Sequence, residues 1–284
     1  MKINVINACS DLGVHVDGSN LGPIELTNNI NLKKYIIEKE NIVKSKDIND
    51  LSKNLESINK FTKKVFDAAS KILVNNEFPL LIGGDHSTVI GSALASQKYH
   101  NNIGIIWIDA HGDYNTFETT ITGNIHGLPL AAITGYKCNE LTNFITNNYI
   151  NPKNAVIVGA RSIDPLELEN LIDAGVTIFT TEDIKKEGTT KIMEKAIKIA
   201  YNNTNGIHIS YDIDVIDPTL AKGVSVPEIN GINTTEAYEI MSIIIKNKDI
   251  IKSLDIVEYN PLKDNENKTK DITLNLINMF INQK

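Results

Sequence analysis

Ile103-Gly-Ile-Ile-Trp-Ile-Asp-Ala-His-Gly-Asp113 is the stretch on which the fold turns. Its apolar half, Ile103–Ile108, is too short and too β-branched to favour a helix and reads as a buried strand. Its polar half places Asp109, His111 and Asp113 at i, i+2 and i+4, so that on an extended backbone all three side chains leave the same face. The pattern recurs at Gly206-Ile-His-Ile-Ser-Tyr211, an apolar stretch followed by Asp212 and Asp214. A third instance is Phe78-Pro-Leu-Leu-Ile82, followed by Gly83 and Gly84, where the backbone can turn sharply, and then by Asp85, His86 and Ser87. In an open α/β sheet the carboxyl ends of parallel strands share one rim, so these three ends are expected to meet there.

Outward from these blocks the pattern alternates between strand and helix. Lys2–Ala8 reads as a first strand, and Gly13–Pro23 as a glycine-rich loop that reaches over a sheet edge. Leu51, Leu55, Ile58, Val65, Ala69 and Ile72 recur at the spacing of one helical face as far as Asn75. The strand 78–82 follows, then a helix over 87–99, strand 103–108 and a long polar loop. Strand 155–159, helix 164–173 and strand 176–180 continue the series. The next helix takes its cap oxygen from Thr180 or Thr181, with Glu182 and Asp183 favourable in its first turn. Strand 207–211, helix 234–246, strand 250–257 and a last helix from about 267 complete it. This alternation predicts a parallel sheet with helices on both faces, built as one domain over residues 1–284.

Composition narrows the function. With 284 residues, 42% of them hydrophobic, the chain can bury a sizeable core. A net charge of −7 without a basic stripe argues against nucleic acid or an anionic membrane surface as partner and is compatible with a small cation. Cys9 and Cys138 are too few for a disulfide framework, and neither a signal peptide nor a membrane-length apolar run is legible. A cytoplasmic protein is expected. Arg161 is the sole arginine in a lysine-rich chain and is expected to position its turn or a neighbouring subunit.

Any one of His86, Asp109, His111, Asp113, Asp212 and Asp214 has a bland explanation as a turn cap or a packed histidine. Gathered at one rim without cations, they would be severely destabilising. Two divalent cations bring the four carboxylates close to neutrality, and one bridging hydroxide leaves about one negative charge, which suits a cationic substrate. Carboxylate and imidazole donors without thiolate fit two Mn²⁺ ions best, with iron, cobalt, nickel or zinc as other occupants. The loop from Tyr114 to His126 is rich in hydrogen-bonding side chains and hangs on a strand end, where substrate contacts usually reside.

Five blocks in chain order, Gly83–Ser87, Asp109–Thr116, Thr122–Gly127, Ser210–Pro218 and Glu258–Pro261, resemble the signature blocks of the ureohydrolase superfamily, and among its members those of arginase. The resemblance implies a three-layer α/β/α fold with about eight parallel strands and a binuclear manganese site. One ion would be held by His86, Asp109, Asp113 and Asp212 and the other by His111, Asp109, Asp212 and Asp214, with Asp109 and Asp212 bridging. It implies a guanidino substrate clamped by Glu258, and His126 as the proton shuttle; the plainer reading of His126 is a loop histidine bonded to backbone. Asn115, Thr120 and Thr122 match positions that recognise an α-carboxylate, and Asp164 and Glu167 those that recognise an α-amino group. Asp164 is also a natural helix N-cap ahead of Pro165. His208 reads as a packed or supporting residue. The chain departs from the arginase pattern at Gly223-Val-Ser-Val-Pro227, where Val226 replaces a threonine, and at Tyr259.

The activity expected from the resemblance is hydrolysis of L-arginine to L-ornithine and urea. The alternatives are agmatinase, guanidinobutyrase or formimidoylglutamase activity, or a non-catalytic metal-binding protein on the same fold. Compact metabolic enzymes are commonly symmetric, so a homo-oligomer is expected.

Overall fold

In the computed structural model, which describes residues 2–42, 44–45 and 51–282, the first strand runs over Ile3–Cys9 (β1) with every residue buried. A short helix, Gly22–Thr27 (α1), leads to a strand that the sequence does not announce, Lys34–Glu38 (β2). Among the described residues β2 hydrogen-bonds only to β1 and lies at the sheet edge, so neither of its faces is fully buried and no period-2 pattern marks it. The amphipathic stretch forms the helix Leu51–Val74 (α2), burying Ile58, Val65, Ala69 and Ile72 and partly burying Leu55. The side chain of Leu51 lies outside the described residues.

The alternation then holds closely. Phe78–Gly83 (β3) and Val89–His100 (α3) are followed by Gly104–Ile108 (β4) and a long loop that carries the short helix Pro129–Ile133 (α4). Ala155–Ala160 (β5), Pro165–Ala174 (α5) and Thr177–Thr180 (β6) come next. Two consecutive helices, Thr181–Glu187 (α6) and Thr189–Ala200 (α7), are separated by Gly188 at φ +89°. The cap of α6 is Thr180, whose Oγ1 accepts the Asp183 N–H at 3.1 Å. Ile207–Asp212 (β7), Thr234–Lys246 (α8), Ile251–Val257 (β8) and Lys268–Ile281 (α9) close the chain.

All eight strands pair in parallel, in the order β2-β1-β3-β8-β7-β4-β5-β6. Because side chains alternate across the sheet, each central strand feeds two cores. Ile106 and Ile108 of β4 join Ile207, Ile209 and Tyr211 of β7 beneath α7, α8 and α9. Ile105 and Trp107 face α2 and α3 on the opposite side. The result is the three-layer α/β/α arrangement. β3, β8, β7 and β4 are neighbours at the middle of the sheet, so the three acidic blocks and Glu258 leave its carboxyl edge side by side.

Candidate metal centre and active site

His86 is delivered by the turn after β3. A Cβ on Gly84 would lie 1.9 Å from the Ser10 carbonyl oxygen, so this position requires glycine for room and not for an unusual φ. Asp85 then ties the turn down, accepting the Ser87 N–H at 2.9 Å and the Gly13 N–H at 3.0 Å. Burial raises its carboxyl to about 6.

β4 ends at Ile108, so Asp109, His111 and Asp113 are not carried on one extended strand, contrary to the spacing argument. They converge by another route. Asp109 Oδ1 accepts the His111 N–H at 2.6 Å, and Asp113 adopts φ +48°, a left-handed conformation that aspartate tolerates better than most residues other than glycine and asparagine. The carbonyl of Asp113 accepts N–H groups from Leu130 and Ala131 of α4, which hold that conformation. β7 ends similarly: Asp212 Oδ1 accepts the Asp214 N–H at 2.7 Å, at the start of a 3₁₀ turn.

Two groups of potential ligands result, His86 with Asp109 and Asp212, and His111 with Asp109 and Asp214, so Asp109 is common to both. His86 Nδ1 stands 3.0 Å from one oxygen each of Asp109, Asp113 and Asp212. A ring nitrogen has one proton or one lone pair and satisfies at most one of these three, while its Nε2 is already engaged with Ser210 Oγ at 2.7 Å. His111 Nδ1 lies 3.0 Å from Asp214 Oδ2 and 3.4 Å from Asp109 Oδ1. Burial, with the charges of neighbouring aspartates, raises the carboxyls of Asp212 and Asp214 and lifts Asp113 to about 6. Burial also opposes ionisation of Asp109, but His111 and His86 outweigh it and hold Asp109 low. Convergent donors with mutually repelling charges fit a pair of divalent cations.

Sequence reasoning missed two supports of this centre. Trp107 stacks on the His86 ring, with centroids 4.0 Å apart and planes 7° from parallel, and its indole N–H donates to Asp109 Oδ2 at 2.9 Å. Ser210 bonds His86 as described. Each lies two residues before an aspartate on the same strand face, a relation that the period of two makes legible. Behind them His208 is fully buried between Asp255, at 2.8 Å, and Ser253. It is a packed residue, as expected.

Above the centre lies a cavity of about 190 Å³ whose wall includes Asn115, Thr120, Thr122, His126, Asp164 and Glu167. The five positions anticipated for the α-carboxylate and α-amino group therefore meet there, joined by Ser162, Val226 and Glu228, while Glu258 is not part of this wall. Asn115 Nδ2 donates to Asp164 Oδ2 at 3.1 Å. Glu167 is buried with both oxygens engaged, by the N–H groups of Tyr114 at 2.8 Å and Asp164 at 3.1 Å, and burial lifts it to about 7. It thus braces Asp164, the N-cap of α5, and holds the two sides of the cavity together.

Glu258 follows β8 at φ +70° and is 1% exposed. Its Oε1 accepts the His86 N–H at 2.9 Å and pairs with His126 Nδ1 at 2.8 Å, while Oε2 has no protein partner. His126 is itself fixed, its N–H bonding the Gly13 carbonyl at 2.9 Å. Burial works against a charged His126, but Glu258 prevails and raises its pKa. Arg161 spends all five N–H donors on carbonyl oxygens, those of Gly159, Asp214, Val215, Glu228 and Ile229, at 2.8 to 3.3 Å. It therefore clamps the loop after Asp214 to the segment containing Glu228.

The comparisons agree with this geometry. Arginase from Bacillus subtilis is 35% identical over 99% of this chain and 98% of its own. The crystal structure of Bacillus caldovelox arginase superposes with a TM-score of 0.88 at 32% identity, over 100% of this chain and 99% of that one. Entamoeba histolytica arginase in complex with L-ornithine gives 0.90 at 32% identity, over 98% and 97%. The model of the Arginase family matches residues 1–281, so by sequence, fold and the donors gathered at its sheet edge the chain belongs to the arginase family.

Proposed function

We propose that this protein hydrolyses L-arginine to L-ornithine and urea at a pair of Mn²⁺ ions. The observation that carries the reading is Asp109, buried and shared between two ligand groups whose other members His111, Asp212 and Asp214 line a polar cavity. Curated arginases at 33–38% identity support the choice of substrate.

His86, Asp109, Asp113 and Asp212 would hold one ion, and His111, Asp109, Asp212 and Asp214 the other. When bound, the ions supply Lewis acidity and make water a nucleophile at neutral pH. Glu258 binds the protonated guanidinium through its unpaired Oε2 and by the same carboxylate orients His126. With Nδ1 committed to Glu258, His126 presents Nε2 as the atom that delivers a proton to the departing amine. Asn115, Thr120 and Thr122 receive the α-carboxylate. Asp164 receives the α-ammonium, and Glu167 serves that end by bracing Asp164. Residues 1–284 act as one ureohydrolase domain.

The proposal extends to a cytoplasmic homo-oligomer with no nucleic-acid or membrane partner; among the described residues no helix is long and apolar enough to cross a membrane. Urea release from arginine, agmatine and guanidinobutyrate, and formamide release from formiminoglutamate, should be measured, each with added Mn²⁺. Arginine should exceed the others in kcat/KM by a wide margin, because groups built to pair a zwitterionic end are left unpaired by an analogue lacking it. A preference for any of the other three would overturn the substrate assignment. No turnover of any of them by protein loaded with metal would favour a binding role.

A further inference from the structure

The two histidines of the metal centre are not equally supported. His86 has its second nitrogen bonded to Ser210. The corresponding nitrogen of His111, Nε2, is buried and has no hydrogen-bond partner. An imidazole that ligates through Nδ1 carries a proton on Nε2, and an N–H in this position is ordinarily given to a carboxylate, a carbonyl or water. A carboxylate stands close by: Glu228 Oε1 is 3.8 Å from His111 Nε2. That separation exceeds a hydrogen bond by roughly 0.6 Å, a gap that a small turn of the Glu228 side chain closes.

Placement of Glu228 is not left to a free loop. Arg161 Nη2 donates at once to the carbonyl of Asp214, at 2.8 Å, and to that of Glu228, at 2.9 Å, while Nε holds the carbonyl of Ile229. The residue that shares a ligand group with His111 and the residue that faces His111 from outside are thus tied to one guanidinium. Glu228 also lines the cavity, with Ser162 beside it. Its side chain is about a third exposed.

We propose that Glu228 is the outer partner of His111, accepting its Nε2–H, fixing Nδ1 as the ligating nitrogen and so setting the affinity of the metal position formed by Asp109, His111 and Asp214. Glu228 is a positioning residue, acting through the imidazole and not on the substrate. This role rests on the binuclear reading of the site, and the test uses metal binding in the absence of substrate so that the two fail in different ways.

Metal-stripped wild-type protein, Glu228→Ala and Glu228→Gln should be titrated with Mn²⁺ by calorimetry, with melting temperatures recorded before metal is added. Wild type should take up two ions. Glu228→Ala should bind one of them as wild type does and the other about 10- to 100-fold more weakly, with the metal-free melting temperature unchanged. Glu228→Gln, which keeps an acceptor oxygen at the same reach, should recover most of that loss. Two ions bound by the alanine variant with wild-type affinities would overturn the proposal while leaving the binuclear reading intact. A glutamine variant as weak as alanine would also overturn it, by removing the hydrogen bond as the cause. A raised KM for arginine with both affinities unchanged would move Glu228 to the substrate and refute its role as partner of His111. Fewer than two ions in wild type would bring down the binuclear reading and this proposal together.

Discussion

Replacing Arg161 with lysine keeps the charge and tests the shape. The guanidinium makes five hydrogen bonds to carbonyls of three chain segments, and two of those carbonyls, from Asp214 and Val215, belong to buried residues of the metal-bearing loop. An ammonium has three donors clustered at one point and reaches about two of these five acceptors. Three bonds are then lost at about 1 kcal/mol net each, giving a destabilisation of about 3 kcal/mol. For a chain of this size that corresponds to a fall in Tm of about 5 °C. Thermal melts followed by circular dichroism, with excess Mn²⁺ and again in EDTA, measure the shift. In EDTA the fall reports the clamp alone; with metal it should be larger, because the freed carbonyls flank the group formed by Asp109, His111 and Asp214 and metal stabilises only the folded state. A Tm within about 2 °C of wild type under both conditions would show that the five contacts contribute no net stability, and the reasoning would fail.

Further outcomes follow from the site. His126→Asn should retain both ions and most of the substrate affinity while kcat falls about 100-fold or more, and unchanged turnover in a fully metallated variant refutes proton delivery by His126. If Asp212 bridges the ions, Asp212→Ala should lose more than one ion's worth of affinity where His86→Ala empties mainly one position; equal single-ion losses in metal analysis contradict bridging. In EDTA the protein should lose stability as pH rises from about 5.5 to 7.5. Burial holds Asp85 and Asp113 at about 6 and Glu167 at about 7, above their ordinary 3.8 and 4.5, so the folded state binds protons more tightly than the unfolded one and raising the pH favours unfolding. Melts across this window check the sign, and a Tm that climbs with pH in EDTA would refute it.

Legibility from sequence followed burial. β3, β4, β7 and β8 are central and apolar, and their ends carry the chemistry, so both their existence and their shared rim can be read from Ile103–Asp113 and its counterparts. Edge strand β2 cannot, because Lys34-Tyr-Ile-Ile-Glu38 buries no complete face and its identity depends on pairing with β1. The donors are legible as a set, but not the backbone that aims them. Asp113 and Glu258 take positive φ values that their residue types do not advertise, sustained by contacts from α4 and from the Gly84 carbonyl, which accepts the Glu258 N–H at 2.7 Å. Glu228 escapes notice because its segment reads as a departure at Val226, and its approach to His111 depends on a return of the chain over more than a hundred residues. Glu167 reads as a substrate contact from its position alone; its Oε2 is taken locally by the capping contact with Asp164, and the loss of Oε1 to the Tyr114 N–H is a tertiary fact.

The solitary arginine has a metabolic side. Over these 284 residues arginine occurs once, at the one place where a planar fork satisfies five carbonyls at once, a task that lysine cannot perform. An enzyme that degrades arginine competes with the ribosome for its own substrate. This stretch of chain draws on that pool once, at position 161.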